Sequence, residues 1–369
     1  MESDDESSHS KSGLSKVSHG QLYAEEGKRK RAAVAGATGY SGRELIRLLI
    51  KHPRLELVAL FASPDSRPAP IEQIHPHFSG LLQLDCLPFS IEAIKNAEVD
   101  ITFLATPNEF SHDVAPELLD LGLTVIDISG AFRLKDAANY PRWYGFEHKR
   151  PDLLQEAVYG LTEIAGESLR GARLVANPGC YPTSIELPLI PLLRSGLIDT
   201  AQPIICDSKS GVTGAGKTPT ANTHFSEVYD SFKAYNLLKH RHTPEIIQCL
   251  ELDNKAVLIF SPHLLPINQG ILSTIYCRLV DGATYGSVRD ALRQAYRSHR
   301  LIRMFENPQL PEIKFVVNTP FCDIGWVVDQ ENRQLIIISA IDNLLKGAAS
   351  QAVQNANVVF GLNEAEGLL

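Results

Sequence analysis

The sequence predicts an α/β protein in two parts: a doubly wound, Rossmann-type nucleotide-binding domain and an inserted α+β domain with a mixed sheet. Three observations predict it. Residues Arg31-Ala-Ala-Val-Ala35 run into Gly36-Ala-Thr-Gly-Tyr-Ser-Gly42 and then into Glu44–Ile50 at helical spacing, which reads as strand, glycine turn, helix. Apolar runs and helical stretches then alternate to about residue 129, the pattern of a parallel sheet covered on both faces. After residue 180 long apolar runs follow one another with few helices, which is the pattern of an α+β domain.

The first element carries a nucleotide signal. Glycines permit close backbone approach, and the helix behind them offers free N–H groups and a positive dipole to a pyrophosphate. The spacing is GxxGxxG rather than GxGxxG, a weak signal alone; a second strand at Leu55–Phe61 supplies the βαβ context it needs. Past that strand, where an NAD site usually carries Asp or Glu for the ribose, the chain reads Phe61-Ala-Ser-Pro-Asp-Ser-Arg67. Ser63, Ser66 and Arg67 favour a 2′-phosphate and hence NADP, Asp65 dissents, and plain loop residues are the alternative. Further strands at Asp100–Ala105 and Leu123–Ser129 flank a helix through Val114–Leu119, so Thr106 and Ser129 fall at strand ends, where such sheets bind ligands.

Cys180 stands in Asn177-Pro-Gly-Cys-Tyr-Pro182, between the apolar Arg173–Ala176 run and the start of a helix, with Pro182 suited to the first helical position. Gly179 lets the chain turn sharply, and unpaired N–H groups there favour a thiolate. The competing reading is a buried structural cysteine. Strands follow at Pro203–Asp207, Ala256–Phe260, Ile271–Cys277 and Gln334–Ile338, and the helical stretch from Leu344 to Phe360 is apolar enough to pack back on the first domain. The expected layout is a disordered tail over 1–29, a nucleotide domain from 30–178 with 343–369, and a catalytic domain over 179–342.

One motif points elsewhere. Gly211-Val-Thr-Gly-Ala-Gly-Lys-Thr218 satisfies the GxxxxGK[ST] phosphate loop of nucleotide triphosphatases, but Pro219 falls where that loop's helix must propagate. The reading kept is a glycine-rich loop in which Lys217 holds a substrate anion. Among twelve histidines, His240 and His242 lie in His-Arg-His-Thr-Pro-Glu245, where Thr243 reads as the N-cap of a helix and Glu245 falls in its first turn. A histidine held there exchanges protons near neutral pH. Neither this His-x-His pair nor His75-Pro-His77 has companion ligands at recognisable spacing, so no metal is expected.

Composition sets the outer limits. The chain has 369 residues, 44% apolar and 21% charged, with a net charge of −8, which disfavours nucleic acid as a partner. No run approaches the ~18 apolar residues of a membrane helix. Six cysteines (Cys86, Cys180, Cys206, Cys249, Cys277 and Cys322) form no CxxC pair, which fits a reducing compartment. The polar first thirty residues lack the apolar stretch of a secretory signal and carry acidic residues, so a cytoplasmic location is expected.

From about residue 30 onward the chain resembles the N-acetyl-γ-glutamyl-phosphate reductases of the aspartate-semialdehyde dehydrogenase-like superfamily. The resemblance rests on Gly36–Gly42, Asp127–Arg133, Trp143–Phe146, Ala157–Leu161, Asn177–Thr183, Ser210–Gly216, His240–Glu245, Pro262–Pro266 and Asp342–Gly347, in that order. It implies NADPH-dependent reductive dephosphorylation of N-acetylglutamyl 5-phosphate to the 5-semialdehyde in arginine biosynthesis, by a homodimer or homotetramer. Cys180 matches the nucleophile and His242 the acid/base, with Glu245 orienting a nearby histidine and Arg133, His240 and Lys217 as substrate contacts. The cofactor would lie against Gly36, Thr38, Gly39, Tyr40, Ser41, Gly42, Thr106, Pro107, Ser129, Gly211 and Asn343. A carrier-bound aminoadipyl-phosphate reductase ranks second, aspartate-semialdehyde dehydrogenase third, and a nucleotide-sensing protein without chemistry is the reading of another class.

Overall fold

The computed structural model describes residues 28–252, 256–306 and 308–369; all but the last two residues of the expected tail lie outside them. The first sheet comprises β1 (Lys30–Ala35), β2 (Leu55–Ala62), β3 (Ala69–Pro70), β4 (Asp85–Pro88), β5 (Ile101–Leu104), β6 (Thr124–Asp127), β7 (Val158–Tyr159) and β8 (Leu174–Ala176). Its spatial order is β3-β4-β2-β1-β5-β6-β8-β7, parallel throughout except where β3 meets β4. Ala32, Ala33, Val34 and Ala35 of β1 are all buried because both faces of the sheet are covered. On one face Leu45, Ile46 and Leu49 of the Tyr40–Leu49 helix share a core with Ala352, Val353 and Ala356, so the C-terminal helix does return to this sheet. The other face packs Ala115, Leu118 and Leu119 of the Asn108–Asp120 helix.

Chain order reverses between β1 and β5, and strand ends at such a switch point open the crevice where α/β sheets bind ligands. Gly36 lies there with φ +83°, and a Cβ on it would sit 2.1 Å from the carbonyl oxygen of Ala105. Only glycine lets the two strand ends approach this closely.

The second sheet holds β9 (Ile204–Ser210), β10 (Lys233–Ala234), β11 (Leu258–Leu264), β12 (Ile271–Arg278), β13 (Ile302–Phe305), β14 (Cys322–Asp329) and β15 (Gln334–Ile341). The order is β10-β11-β9-β12-β15-β14-β13, with β9/β11 and β13/β14 parallel and the other pairs antiparallel. Burial alternates along β9 and β12, so one face is packed and one is not. The packed face holds Cys206, Ile271, Ile275 and Ile337 against Ile185, Leu189 and Leu192 of the Cys180–Arg194 helix and Val288 and Leu292 of the Tyr285–Tyr296 helix.

Three local expectations change. The helix at Cys180 begins with the cysteine itself, with Gly179 at the N-cap, so Pro182 is its third residue rather than its first. Thr243 is the first residue of the Thr243–Cys249 helix and not its cap; His242 precedes it in helical conformation, and the Thr243 hydroxyl is buried without a partner. The last helical stretch divides into a π-helical turn at Leu345–Ala349 and an α-helix at Ser350–Val359. The wide turn has a cause: Gly347 N–H bonds back to the Asp342 carbonyl at 2.9 Å, five residues away, while the Asp342 carboxylate accepts from the N–H groups of Leu344 and Leu345.

Candidate active site

Strand β8 ends at Ala176, and Asn177-Pro178-Gly179 carries the chain to Cys180, the first residue of a helix whose N-terminus no side chain caps. Its first-turn N–H groups and dipole therefore face the cysteine's surroundings. A Cβ on Gly179 would lie 2.6 Å from Nε2 of His242 and 2.8 Å from Nη1 of Arg133, so both side chains press on the residue before the thiol. On another side a Cβ on Gly347 would lie 2.7 Å from Cβ of Cys180, which is why the π-turn brings a glycine there.

Arg133 is buried and held on all its nitrogens. Its Nε donates to the Asn177 carbonyl (2.8 Å), its Nη2 to the Ile128 carbonyl (2.7 Å) and its Nη1 to Oε2 of Glu245 (3.3 Å), with Nε2 of His242 3.4 Å from the same Nη1. Glu245 is fully buried, and its Oε1 accepts from the Gly179 N–H (2.7 Å) and approaches the Tyr159 hydroxyl (2.8 Å). The expected role of Glu245 in orienting a histidine gives way to this: its carboxylate is engaged by the backbone before Cys180, by Arg133 and by Tyr159. The Tyr159 hydroxyl also lies 2.9 and 3.2 Å from the two oxygens of Glu186, which is fully buried.

Electrostatics depart from expectation at the thiol. Burial pushes the half-buried Cys180 thiol up, against the opposing pull of the Arg133 charge and the Tyr181 N–H. Burial pushes His242 well below the ordinary histidine value, reinforced by His240, Arg133 and Arg241. His240 is brought down to about 3 by burial and by Arg241. Both shifts favour the neutral forms, a thiol and an imidazole, over a preformed ion pair. The Nδ1 of His242 is buried without a hydrogen-bond partner.

Other candidates divide. His240 accepts the His242 N–H on its Nδ1 (3.1 Å) and is enclosed by Tyr181, Tyr235 and Phe260, so one ring nitrogen serves the loop itself. The exposed Lys217 reaches the Thr38 carbonyl at 3.3 Å and so belongs beside the first glycine turn. The loop around it forms only a short 3-10 turn at Val212–Ala215, without the helix a phosphate loop requires.

In the nucleotide turn, Gly39 is the N-cap of the Tyr40–Leu49 helix with no side-chain cap, and Gly42 packs so tightly that a Cβ would lie 2.2 Å from the Gly36 oxygen. Tyr40 and Ser41 open that helix, and an anion at its N-terminus would meet unshielded N–H groups. Ser63 and Arg67 are exposed beyond β2, while the Ser66 hydroxyl closes the turn onto the Ser63 carbonyl (2.7 Å).

Thr106 bonds Ser111 (2.7 Å) beside Pro107, the N-cap of the Asn108–Asp120 helix. Ser129 donates to Asp127 (2.9 Å). Asn343 is buried, its amide committed to the Gly270 N–H (2.7 Å) and the Thr213 hydroxyl (3.0 Å), and Gly211 packs against the Asn268 backbone. These last residues hold the loops in place. Among the described residues no cluster of three or more His, Cys, Asp or Glu is arranged to hold a metal, and no helix is long and apolar enough to cross a membrane.

A parallel sheet with a glycine turn at its switch point, joined to a mixed sheet through a helix that begins with a cysteine, defines a two-domain semialdehyde dehydrogenase. The family models agree: the semialdehyde dehydrogenase NAD-binding domain matches residues 31–172 and the semialdehyde dehydrogenase dimerisation domain residues 180–343. The chain is 47% identical to N-acetyl-gamma-glutamyl-phosphate reductase of Desulforapulum autotrophicum over 92% of this chain and 97% of that one, and 44% identical to the Salmonella typhi enzyme of the same name over 91% and 98%. It belongs to the N-acetyl-gamma-glutamyl-phosphate reductase family. Among solved structures, aspartate semialdehyde dehydrogenase II of Vibrio cholerae shares the fold with a TM-score of 0.67 at 17% identity, covering 90% of this chain and 98% of that one.

Two residues at the centre of this network, Tyr159 and Glu186, were not singled out from sequence. Tyr159 lies in the Ala157–Leu161 segment that carries part of the family resemblance. The signal for Glu186 was an acidic residue in the apolar Pro182–Pro191 stretch, where a charge needs a partner.

Proposed function

We infer that the protein reduces N-acetylglutamyl 5-phosphate to N-acetylglutamate 5-semialdehyde with release of phosphate, a step of arginine biosynthesis, with NADPH as reductant. The observation that carries the reading is the convergence of His242 and Arg133 on Gly179, immediately before a cysteine at an uncapped helix N-terminus. The identity to the reductases supports the substrate. The exposed Ser63–Arg67 turn at the end of β2 supports NADP over NAD.

His242 is neutral and takes the Cys180 proton as the sulfur attacks the acyl carbon. N–H groups of the first helical turn hold the oxyanion, the bond to phosphate breaks, and Cys180 carries a thioester. NADPH, held against the Gly36–Gly42 turn, would supply the hydride that reduces this thioester. His242 returns its proton to the resulting oxyanion and takes it again as the C–S bond breaks and the aldehyde leaves. Arg133, fixed by four partners, presents a cation that stabilises the sulfur and oxygen anions. The approach of Lys217 to the Thr38 carbonyl supports a role in holding an anion near the first glycine turn.

A closed oligomer fits the second sheet. Tyr276, Ile336 and Val327 are paired across β12, β15 and β14 and are exposed together on its open face. A homodimer through that face, or a tetramer built from it, would cover the row, in line with the dimerisation domain matched there. The cysteines are free, as in a reducing cytoplasm.

Replacing Cys180 by Ser tests the reading. The variant should lose turnover altogether while binding NADP as before, measured by fluorescence titration. Turnover near the parent rate would refute the nucleophile assignment.

A further inference from the structure

Hydrogen positions decide what the buried group behind the nucleophile does. The Tyr159 hydroxyl is within hydrogen-bond distance of three carboxylate oxygens: Oε1 and Oε2 of Glu186 at 3.2 and 2.9 Å, and Oε1 of Glu245 at 2.8 Å. A phenol has one hydrogen to donate, so it satisfies one carboxylate only, and the other must carry a proton and donate to the phenol oxygen. Two ionised carboxylates about one hydroxyl, both fully buried, would repel each other with the single Arg133 charge to offset both.

The surroundings say which acid keeps its charge. Glu245 accepts from the Gly179 N–H and from the Arg133 guanidinium, two donors that favour the anion. Glu186 faces Tyr159, the Cys249 thiol and the Glu245 charge, and the cation that most favours its ionisation among the described residues is Arg133, which is bonded to Glu245. Burial and the Glu245 charge push its carboxyl well above the usual range, and burial likewise raises Tyr159 and Cys249.

We propose that Glu186 and Tyr159 are positioning residues for the reaction: Glu186, as the neutral acid, donates to Tyr159, and Tyr159 donates to Glu245. Held in this way, Glu245 fixes the Gly179 N–H and Arg133, and through them the backbone before Cys180. Neither residue touches substrate. The proposal rests on the Cys180 reading, and the Cys180→Ser variant checks that reading separately.

Glu186→Gln is the discriminating variant, because its amide is always neutral, keeps a donor for Tyr159 and has the same shape. Glu186→Leu removes the donor, and Tyr159→Phe removes the link. kcat and KM for the phosphate-dependent oxidation of N-acetylglutamate semialdehyde by NADP are measured from pH 6 to pH 10, with thermal unfolding of each variant.

The expected result is a loss in kcat of about ten- to a hundredfold for Tyr159→Phe and Glu186→Leu, with KM little changed and most of the rate recovered by Glu186→Gln. The ratio of the Glu186→Gln rate to the parent rate should also rise towards high pH, where the parent's Glu186 begins to lose its proton. A purely structural role predicts no such pH-dependent ratio. The inference is overturned if Glu186→Gln is as impaired as Glu186→Leu at neutral pH, since Glu186 would then act as an anion, or if folded Tyr159→Phe turns over at the parent rate.

Discussion

Two glycine-rich loops, Gly36–Gly42 and Gly211–Lys217, look alike in sequence and behave differently in the fold. The first lies between β1 and a ten-residue helix at the switch point of a parallel sheet, and two of its glycines are locked by backbone contacts of 2.1 and 2.2 Å to a would-be Cβ. The second matches the stricter triphosphate motif yet follows a strand of the mixed sheet, makes one short 3-10 turn and leads into no helix of more than four residues before Thr243. The loops meet at Lys217 and the Thr38 carbonyl. A phosphate site is therefore made by the helix behind the glycines rather than by the spelling of the glycines.

Replacing one glycine in each loop by alanine separates the two most sharply. Gly36→Ala combines a left-handed backbone with a collision against the Ala105 carbonyl, and should cost about 3–5 kcal/mol of stability and abolish NADP binding. Gly211→Ala, at φ −65°, meets only the close Asn268–Gln269 backbone and should cost about 1–3 kcal/mol, with NADP affinity retained. Chemical denaturation and NADP titration check both; equal losses of NADP affinity would erase the distinction. Lys217→Ala should leave stability unchanged and raise the KM for NADPH about three- to tenfold, with smaller change in kcat. A rise confined to the KM for the acyl phosphate would assign Lys217 to the substrate instead.

The smallest effect is in the pH profile of the Cys180 site. Because His242 is held below its ordinary value, it stays neutral, and able to take a proton, as pH falls through 6.5. The acid limb of kcat/KM should accordingly lie well below 6.5. Alkylation of Cys180 in the free enzyme should accelerate with rising pH until above the ordinary thiol value, because burial disfavours the thiolate. An acid limb at or above 6.5, or full thiol reactivity at pH 7, would break this account of the protons.

The parallel sheet was legible because its strands, turns and helices alternate with local periodicity, and the mixed character of the second sheet was legible in the succession of long strands. Cap positions were less so: Pro182 reads as a first helical residue and Thr243 as a cap, but the first helix begins two residues earlier, at Cys180 after the Gly179 turn, and the second begins at Thr243 itself, with His242 before it and Pro244 its second residue. Cys180 and His242 stood out in the sequence by their local settings, a glycine turn and a pre-helical loop. The network of Glu245, Tyr159 and Glu186 was hidden because it depends on contacts 27 to 112 residues apart, and no local pattern records which oxygen meets which hydrogen. The forces on the thiol were half legible for a related reason: a helix N-terminus that favours the thiolate can be read from sequence, while the burial that opposes it cannot.

The most direct test of the central claim is a phosphate-dependent reverse assay, in which NADP reduction is followed with N-acetylglutamate semialdehyde and, in parallel, with aspartate semialdehyde. The account predicts rapid reduction of NADP with the acetylated substrate, strictly dependent on added phosphate and absent in Cys180→Ser. Oxidation of aspartate semialdehyde alone, or oxidation indifferent to phosphate, would contradict it.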